Sequence, residues 1–291
     1  MARFRPAPYV VLVAIGLIWG STWMVAREAL ERMPVMLLMG IRYLMAGALL
    51  TGFYLCKGRP IPSAGTMWRL LPGSMLMFTL NGCLSYWSIL FIPSHIAAII
   101  GSLAPLFIFL PVVTAGKANI RLPAAMLLCV AGVALLVARP PGQMQMAHIW
   151  GYVLSFAAVL CWSAGVIFMR RIRPDVSVYY GLGWQMLCSG LILFMAAAAA
   201  GEMQQFPAVD LPLLGALAYL VVPGSIFAFW AVGYVYDHLP VGVASSYEYI
   251  SILVASALGY LYLEEKITLY TIAGGLVTLT GIWLIRKYSK S

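Results

Sequence analysis

Apolar runs of about twenty residues, set apart by short polar or Pro/Gly-rich pieces, recur along nearly the whole chain. A helix rises about 1.5 Å per residue, so about twenty residues cross the roughly 30 Å hydrocarbon core of a bilayer. The pattern predicts ten spans, near 8–28, 34–56, 70–92, 95–115, 122–138, 149–169, 178–200, 212–235, 240–263 and 268–286. The separators include KGRPIPS, GKANIRLP, ARPPGQ, RRIRPD and GEMQQFP, none long enough for a soluble domain. The first run starts at Tyr9 behind Arg3 and Arg5 and lacks a small-x-small cleavage site, so it reads as an uncleaved first helix.

Composition removes the soluble alternative. Apolar residues make up 63% of the chain and charged residues 9%, against about a quarter charged in a soluble domain. The expectation is an all-α integral membrane protein. A formal charge of +9 does not point to nucleic acid, because the basic residues sit in short loops rather than on one patch. Cys56, Cys83, Cys129, Cys161 and Cys188 all lie inside apolar stretches without metal-ligand spacing, and read as small core residues. The sequence has no HExxH, no phosphate-cradling glycine loop with its lysine, and no Cys/His cluster. No cofactor or metal is expected, and neither ATP-driven pumping nor an enzymatic nucleophile–base pair has a visible basis.

The basic loops set an orientation. With the N-terminus inside, the inner segments hold Arg3, Arg5, Lys57, Arg59, Arg69, Lys117, Arg121, Arg170, Arg171, Arg173, Arg286, Lys287 and Lys290. The outer loops hold Arg27, Arg32, Arg139 and Lys266, and Arg42 is left within the membrane. Six of the nine acids fall outside: Glu28, Glu31, Glu202, Asp210, Glu264 and Glu265. Both termini are therefore expected in the cytoplasm of a bacterial inner membrane.

The chain also matches itself. GLIWGSTW (16–23) and AVLCWSAG (158–165) match with Trp19 over Trp162, a shift of 143. The same shift sets LMGIRYL (38–44) over GLGWQML (181–187), and IPSHIAAIIGSLAP (92–105) falls over LPVGVASSYEYISI (239–252) at a shift of 147. Two five-helix units follow, 1–145 and 146–291. Five is odd, so the second enters the membrane from the opposite side. Two inverted repeats place a site at the midplane between them, as in secondary transporters.

IWGSTW in the first span, Arg42 in the second, AAIIGSLAPLF in the fourth, ASSYEY in the ninth and YLEEKIT after it resemble the EamA family of the drug/metabolite transporter superfamily. The resemblance covers nearly the whole chain. It implies ten helices, cytoplasmic termini, a central cavity, and export of amino acids or related metabolites. It also implies that spans 5 and 10 lie at the edge, where a homodimer could form. In two places the chain departs from the family's pattern: Ile252 stands where a proline matching Pro105 is usual, and Ala118 where an acid matching Glu265 is usual. Glu248 lies outside the pattern, and its repeat counterpart is Gly101.

Glu248 poses the sharpest chemical question, because an unpaired carboxylate in an apolar run costs several kcal/mol. Positions 241, 244, 245, 248, 251, 252 and 255 share a helical face of small and polar residues, including Ser245 and Ser251. Glu248 reads either as the binder of a substrate amine or coupling proton, or as half of a structural ion pair. Arg42, at similar depth, is the expected partner, with substrate-carboxylate binding as its alternative. Asn81, Ser85 and Ser88 make a polar face in span 3, where back-bonding explains the serines and Asn81 needs an outside partner.

Trp19, Ser21 and Thr22, with Trp162 and Ser163, hold matching midplane positions and line a cavity or pack helices. Tyr86, Trp87, Tyr247, Tyr249, Phe227 and Trp230 could box an aromatic or cationic ligand, or be core and interface belt. Pro105, Pro72 and Pro223 can kink helices and free carbonyls. His95 and His238 are expected at the membrane interface. Gly132, Gly274, Gly275 and Gly281 mark close helix contacts, within the chain or between subunits.

The function expected is a secondary transporter exporting a small amphipathic, amino-acid-like metabolite by alternating access, with a proton as candidate coupling ion. The alternatives are a proton-coupled exporter of cationic drugs and a channel-like facilitator.

Overall fold

A computed structural model describes residues 7–114, 120–138, 146–172 and 175–288. These residues are helical, with no strand among them. In chain order they form α1 (Ala7–Leu30), α2 (Val35–Cys56), α3 (Ala64–Ser74), α4 (Asn81–Ser88), α5 (Ser94–Gly101), α6 (Ala104–Thr114) and α7 (Arg121–Val137). Then follow α8 (Met146–Ile172), α9 (Val178–Ala199), α10 (Leu211–Val221), α11 (Ala228–His238), α12 (Val241–Ala244), α13 (Tyr247–Tyr262) and α14 (Leu269–Tyr288). Of the cationic loop residues, Arg3, Arg5, Lys117, Arg139, Arg173 and Lys290 lie outside the described residues, as does Ala118.

Among the described residues seven segments are long and apolar enough to cross a membrane, where ten spans were expected. The other three fall short for physical reasons. Residues 64–88 carry Ser74, Asn81, Ser85 and Ser88, which dilute their hydropathy. The α7 helix has 17 residues. The ninth span is broken by a turn at Ser245 and Ser246 between α12 and α13.

Local signals set the ends. Ser63 caps α3 by accepting from the Thr66 N–H at 3.3 Å, and Asp210 caps α10 by accepting from the Leu213 N–H at 2.9 Å. Gly58 and Gly201, both at φ +76°, stop α2 and α9 in the left-handed region that glycine enters without strain. Pro105 is the second residue of α6, just past a break at Ser102 and Leu103. Two π-helical turns interrupt the bundle: Met75–Leu80 after Pro72, and Val222–Phe227 containing Pro223. Both are continuous with the α-helices on either side.

Small residues let helices approach backbone to backbone. The α2 and α9 helices pack along their length, and a Cβ added to Gly190 would sit 2.8 Å from the Tyr43 carbonyl carbon. The α7 and α14 helices pair likewise, a Cβ on Gly274 falling 2.7 Å from the Gly132 oxygen. Gly275 and Gly281 also face atoms of this chain, so the glycines noted in the sequence serve contacts within one molecule. In α1, Gly20 faces the Ser251 carbonyl of α13.

Polar ties add register at the ends. Arg32 sits 2.7 Å from Asp210, and Glu202 accepts from the Leu37 N–H at 2.9 Å. Elsewhere Arg69 lies 3.6 Å from Asp175. Exposed pairs of this kind contribute about 0–1 kcal/mol, so close helix packing carries the fold.

His95, at the start of α5, is fully buried within the protein, with Nδ1 2.6 Å from Glu265 Oε2. Glu265 also accepts from the Ser94 N–H at 2.6 Å and the Ser94 hydroxyl at 3.1 Å, tying the loop after α13 to the start of α5. His238 is exposed, its Nδ1 2.8 Å from the Tyr234 carbonyl.

Candidate functional site

A cavity of about 240 Å³ opens between the helices, walled by α1, α2, α4, α5 and α6 from one side of the sequence and α8, α11 and α13 from the other. Glu248, Arg42, Asn81, Tyr247, Trp19, Tyr86 and Trp162, all singled out by sequence, stand on its wall, as do Thr22, Ser85 and Ser251. Ser21 and Ser245 do not. The Ser21 hydroxyl is turned to Tyr219 Oη at 2.6 Å, and the Ser245 carbonyl accepts from Arg286 at 2.8 Å. Pro105 lies off the wall too, but the helix break that precedes it exposes Gly101 to the cavity, where a Cβ would meet nothing within 4 Å.

Arg42 and Glu248 do not pair. Arg42, 7% exposed, donates from Nε to the Ser225 hydroxyl at 2.9 Å, from Nη1 to the Tyr86 hydroxyl, and from Nη2 to the Gly224 carbonyl at 3.3 Å. Its guanidinium carbon lies 5.5 Å from the Tyr43 ring centre. The π-turn Val222–Phe227 makes this cradle. An i→i+5 pattern displaces carbonyls from their α-helical donors, and the Gly224 oxygen takes up both Arg42 and the Trp19 indole N–H at 3.2 Å.

The partner of Glu248 is Arg286, near the end of α14, which also holds the Ser245 carbonyl. Sequence reading assigned Arg286 to a cytoplasmic flank. One signal could have placed it: Thr278, Ile282 and Arg286 follow one another at i+4 on the buried stripe of α14. Asn81 finds its outside partner in the Ala158 carbonyl, 2.9 Å away on α8. Ser88 back-bonds to the Ser85 carbonyl at 2.7 Å and faces away, while Ser85 faces the cavity.

The aromatic lining differs from the expected box. Trp87, Tyr249, Phe227 and Trp230 are off the wall, and Phe229 takes the central place. Its ring centre lies 5.6 Å from Trp19, 6.2 Å from Trp162 and 5.6 Å from Phe78. An extra residue per turn re-phases the helix that follows by about 100°. A strict α-helical count through Val222–Phe227 therefore points the wrong residues inward.

A polar, partly charged chamber inside an apolar helical bundle defines a membrane transport protein rather than a soluble receptor. The EamA-like transporter family matches the chain over residues 7–138 and again over 149–287. The chain belongs to the EamA-like transporter family.

Among similar proteins, the uncharacterized inner membrane transporter YedA of Escherichia coli strain K12 is 31% identical over 251 residues, 85% of this chain and 80% of its own. Protein PecM of Dickeya dadantii is 27% identical over 94% of this chain and 90% of its own. A probable amino-acid metabolite efflux pump of Escherichia coli strain K12 is 22% identical over 94% and 93%. A crystal structure of a protein with 16% identity matches at a TM-score of 0.63, covering 97% of this chain and 96% of that one, which shows the shared fold. The protein is thus a multi-pass inner-membrane transporter of the drug/metabolite type.

Proposed function

We propose that this protein is a secondary transporter that exports a small amphipathic metabolite, an amino acid or a related compound, by alternating access. The carrying observation is the cavity of about 240 Å³ with Arg42 and Glu248 on its wall. That volume falls below the roughly 300–1,000 Å³ of pockets for drug-sized ligands, which favours a metabolite over the bulkier cationic drugs. The efflux-pump name of one relative is in keeping with this.

The same reading takes the chain as ten spans in two inverted five-helix repeats, 1–145 and 146–291, with both termini cytoplasmic. Structural landmarks recur at the spacing of the sequence repeat. Left-handed Gly58 and Gly201 are 143 residues apart. The π-turns starting at Met75 and Val222 are 147 apart. Both members of the Arg32–Asp210 pair come from loops assigned to the outside. A homodimer through α7 and α14 belongs to the same reading, tested by cross-linking in the bilayer.

Coupling to a proton would work through Glu248, since protonation removes the charge that holds Arg286. The test uses sealed liposomes with a pH dye and a panel of amino acids and cationic drugs, on wild type and Glu248→Gln. Expected is amino-acid counterflow with proton movement that disappears in the variant. Ion conduction far above carrier turnover would sink the transporter reading. Counterflow without protons, unchanged in Glu248→Gln, would make the pair structural and the protein a uniporter or exchanger.

A further inference from the structure

We infer that Arg42 is the docking point for a carboxylate of the transported molecule, an inference that rests on the transport reading above. Among the described residues the charges on the cavity wall are Arg42 and Glu248, and Arg286 stands against Glu248, two cations to one anion. Glu248 is engaged by Arg286. Among the described residues no acid lies within ion-pair distance of Arg42. Its partners, Ser225, Tyr86 and Gly224, are all neutral. An unpaired charge nine-tenths buried in a membrane protein is costly, and a mobile anion entering the cavity compensates it.

Hydrogen-bond capacity agrees. A guanidinium carries five N–H donors, and three of those on Arg42 have protein acceptors. The two that remain match the two oxygens of one carboxylate. The Ser225, Gly224 and Tyr86 contacts fix the group's position, so little side-chain entropy is lost on binding. The Ser225 hydroxyl is itself held by donating to the Leu220 carbonyl at 2.9 Å.

The rest of the chamber suits the remainder of such a molecule. Phe229, Trp19 and Trp162 offer an apolar surface. Ser85 and Asn81 line the same space, and Ser85 Oγ and Asn81 Oδ1 accept no hydrogen bond within the described residues. A substrate recognised by its amine alone would need Glu248, whose charge is already neutralised by Arg286 and is freed only if Arg286 is displaced. The carboxylate needs no displacement. The substrate class is therefore an apolar monocarboxylate, zwitterionic or simple, rather than an organic cation.

The experiment compares ligands that differ at the carboxyl group or at the amine, on full-length protein in detergent. Thermal shift is read with leucine and phenylalanine, their amides, the matching amines, and isocaproate and phenylpropionate. Wild type is expected to bind the acids at least about tenfold more tightly than the amides. Amino acids and simple acids both binding would show that the carboxylate alone suffices. Amino acids alone binding would add the amine as a second requirement at Asn81 and Ser85.

Arg42→Gln should erase the difference between acid and amide, and Arg42→Lys should retain part of it. The wild-type comparison stands even if Arg42→Gln fails to fold. Amides or amines binding as well as acids, or none of the panel binding, would overturn the inference. So would acid binding unchanged in folded Arg42→Gln. Acid binding with the Arg42 dependence but no movement in liposomes would leave the docking point intact and remove the transport reading instead.

Discussion

The carboxylate of Glu248 on α13 accepts from the guanidinium of Arg286 on α14, 38 residues further along the chain. Arg286 is held in turn by the Ser245 carbonyl at the break between α12 and α13, and lies 5.4 Å from the Tyr249 ring centre. One arginine thus fixes the start of α13 and neutralises its acid together. Removing one partner of a buried pair leaves the other charge without compensation, at a cost of about 3–5 kcal/mol. Glu248 keeps 23% of its side chain exposed, which moves the expectation to about 3 kcal/mol. Glu248→Gln and Arg286→Gln should each lower the thermal midpoint, and the double variant should recover most of the loss. A double variant as unstable as the two single losses added together would mean that the residues do not act as a pair.

Gly101 makes the opposite prediction, a functional loss without a structural one. A Cβ there meets open space, so Gly101→Leu should leave the thermal midpoint unchanged or slightly higher, helices favouring most residues over glycine by up to about 1 kcal/mol. The leucine side chain would stand in the cavity and reduce counterflow at least tenfold, roughly 1.4 kcal/mol in binding terms. Unimpaired counterflow by Gly101→Leu would remove this cavity from the transport path.

Gly274 and Gly132 should behave quite differently from Gly101. Their backbones touch across α7 and α14, and a larger side chain can be accommodated only by parting the helices. Overpacking of this kind costs typically about 1–3 kcal/mol and sometimes more. Gly274→Leu should therefore reduce the yield of folded protein, with a lower thermal midpoint in what survives. A normal midpoint would show that the contact has more slack than the 2.7 Å approach to the Gly132 oxygen implies.

Glu265 carries a pH dependence. Burial pushes its carboxyl upward, but the bonds from His95 and Ser94 outweigh that and hold it below the ordinary range. A depressed folded pKa contributes stability that is complete above the unfolded value, near 4.3 for glutamate, and is lost as pH falls through the folded one. Glu265→Gln should cost about 1.5–3 kcal/mol at neutral pH, the usual worth of charge-assisted bonds. The midpoint gap between wild type and variant should narrow below about pH 4. A gap independent of pH would mean that the charge of Glu265 contributes nothing to the tie with α5.

Much of the architecture could be read from the chain because it rests on local rules. Hydrocarbon length fixes the apolar runs, the left-handed stops need Gly58 and Gly201, and a charged residue in an apolar run marks itself out. Glu248, Arg42 and Asn81 all came to the cavity wall. Phe227 and Trp230, candidates for an aromatic box, stand off the wall; the π-turn at Val222–Phe227 shifts the phase of the helix around them, and no local sequence signal announces its extra residue. The tie of His95 to Glu265, 170 residues further along the chain, was not legible either.

By itself, the sequence determined that this is a helical membrane protein with a charged interior and a repeated half, since transfer free energy and helix geometry act within one segment. Only the tertiary structure decided that Glu248 belongs to Arg286 while Arg42 is left among neutral partners. Which side chains meet depends on how each helix is rotated and shifted against its neighbours. Backbone contacts such as Gly47 against Gly183 and Gly132 against Gly274 set those quantities. A rotation of one residue, about 100°, is enough to exchange a wall residue for a lipid-facing one.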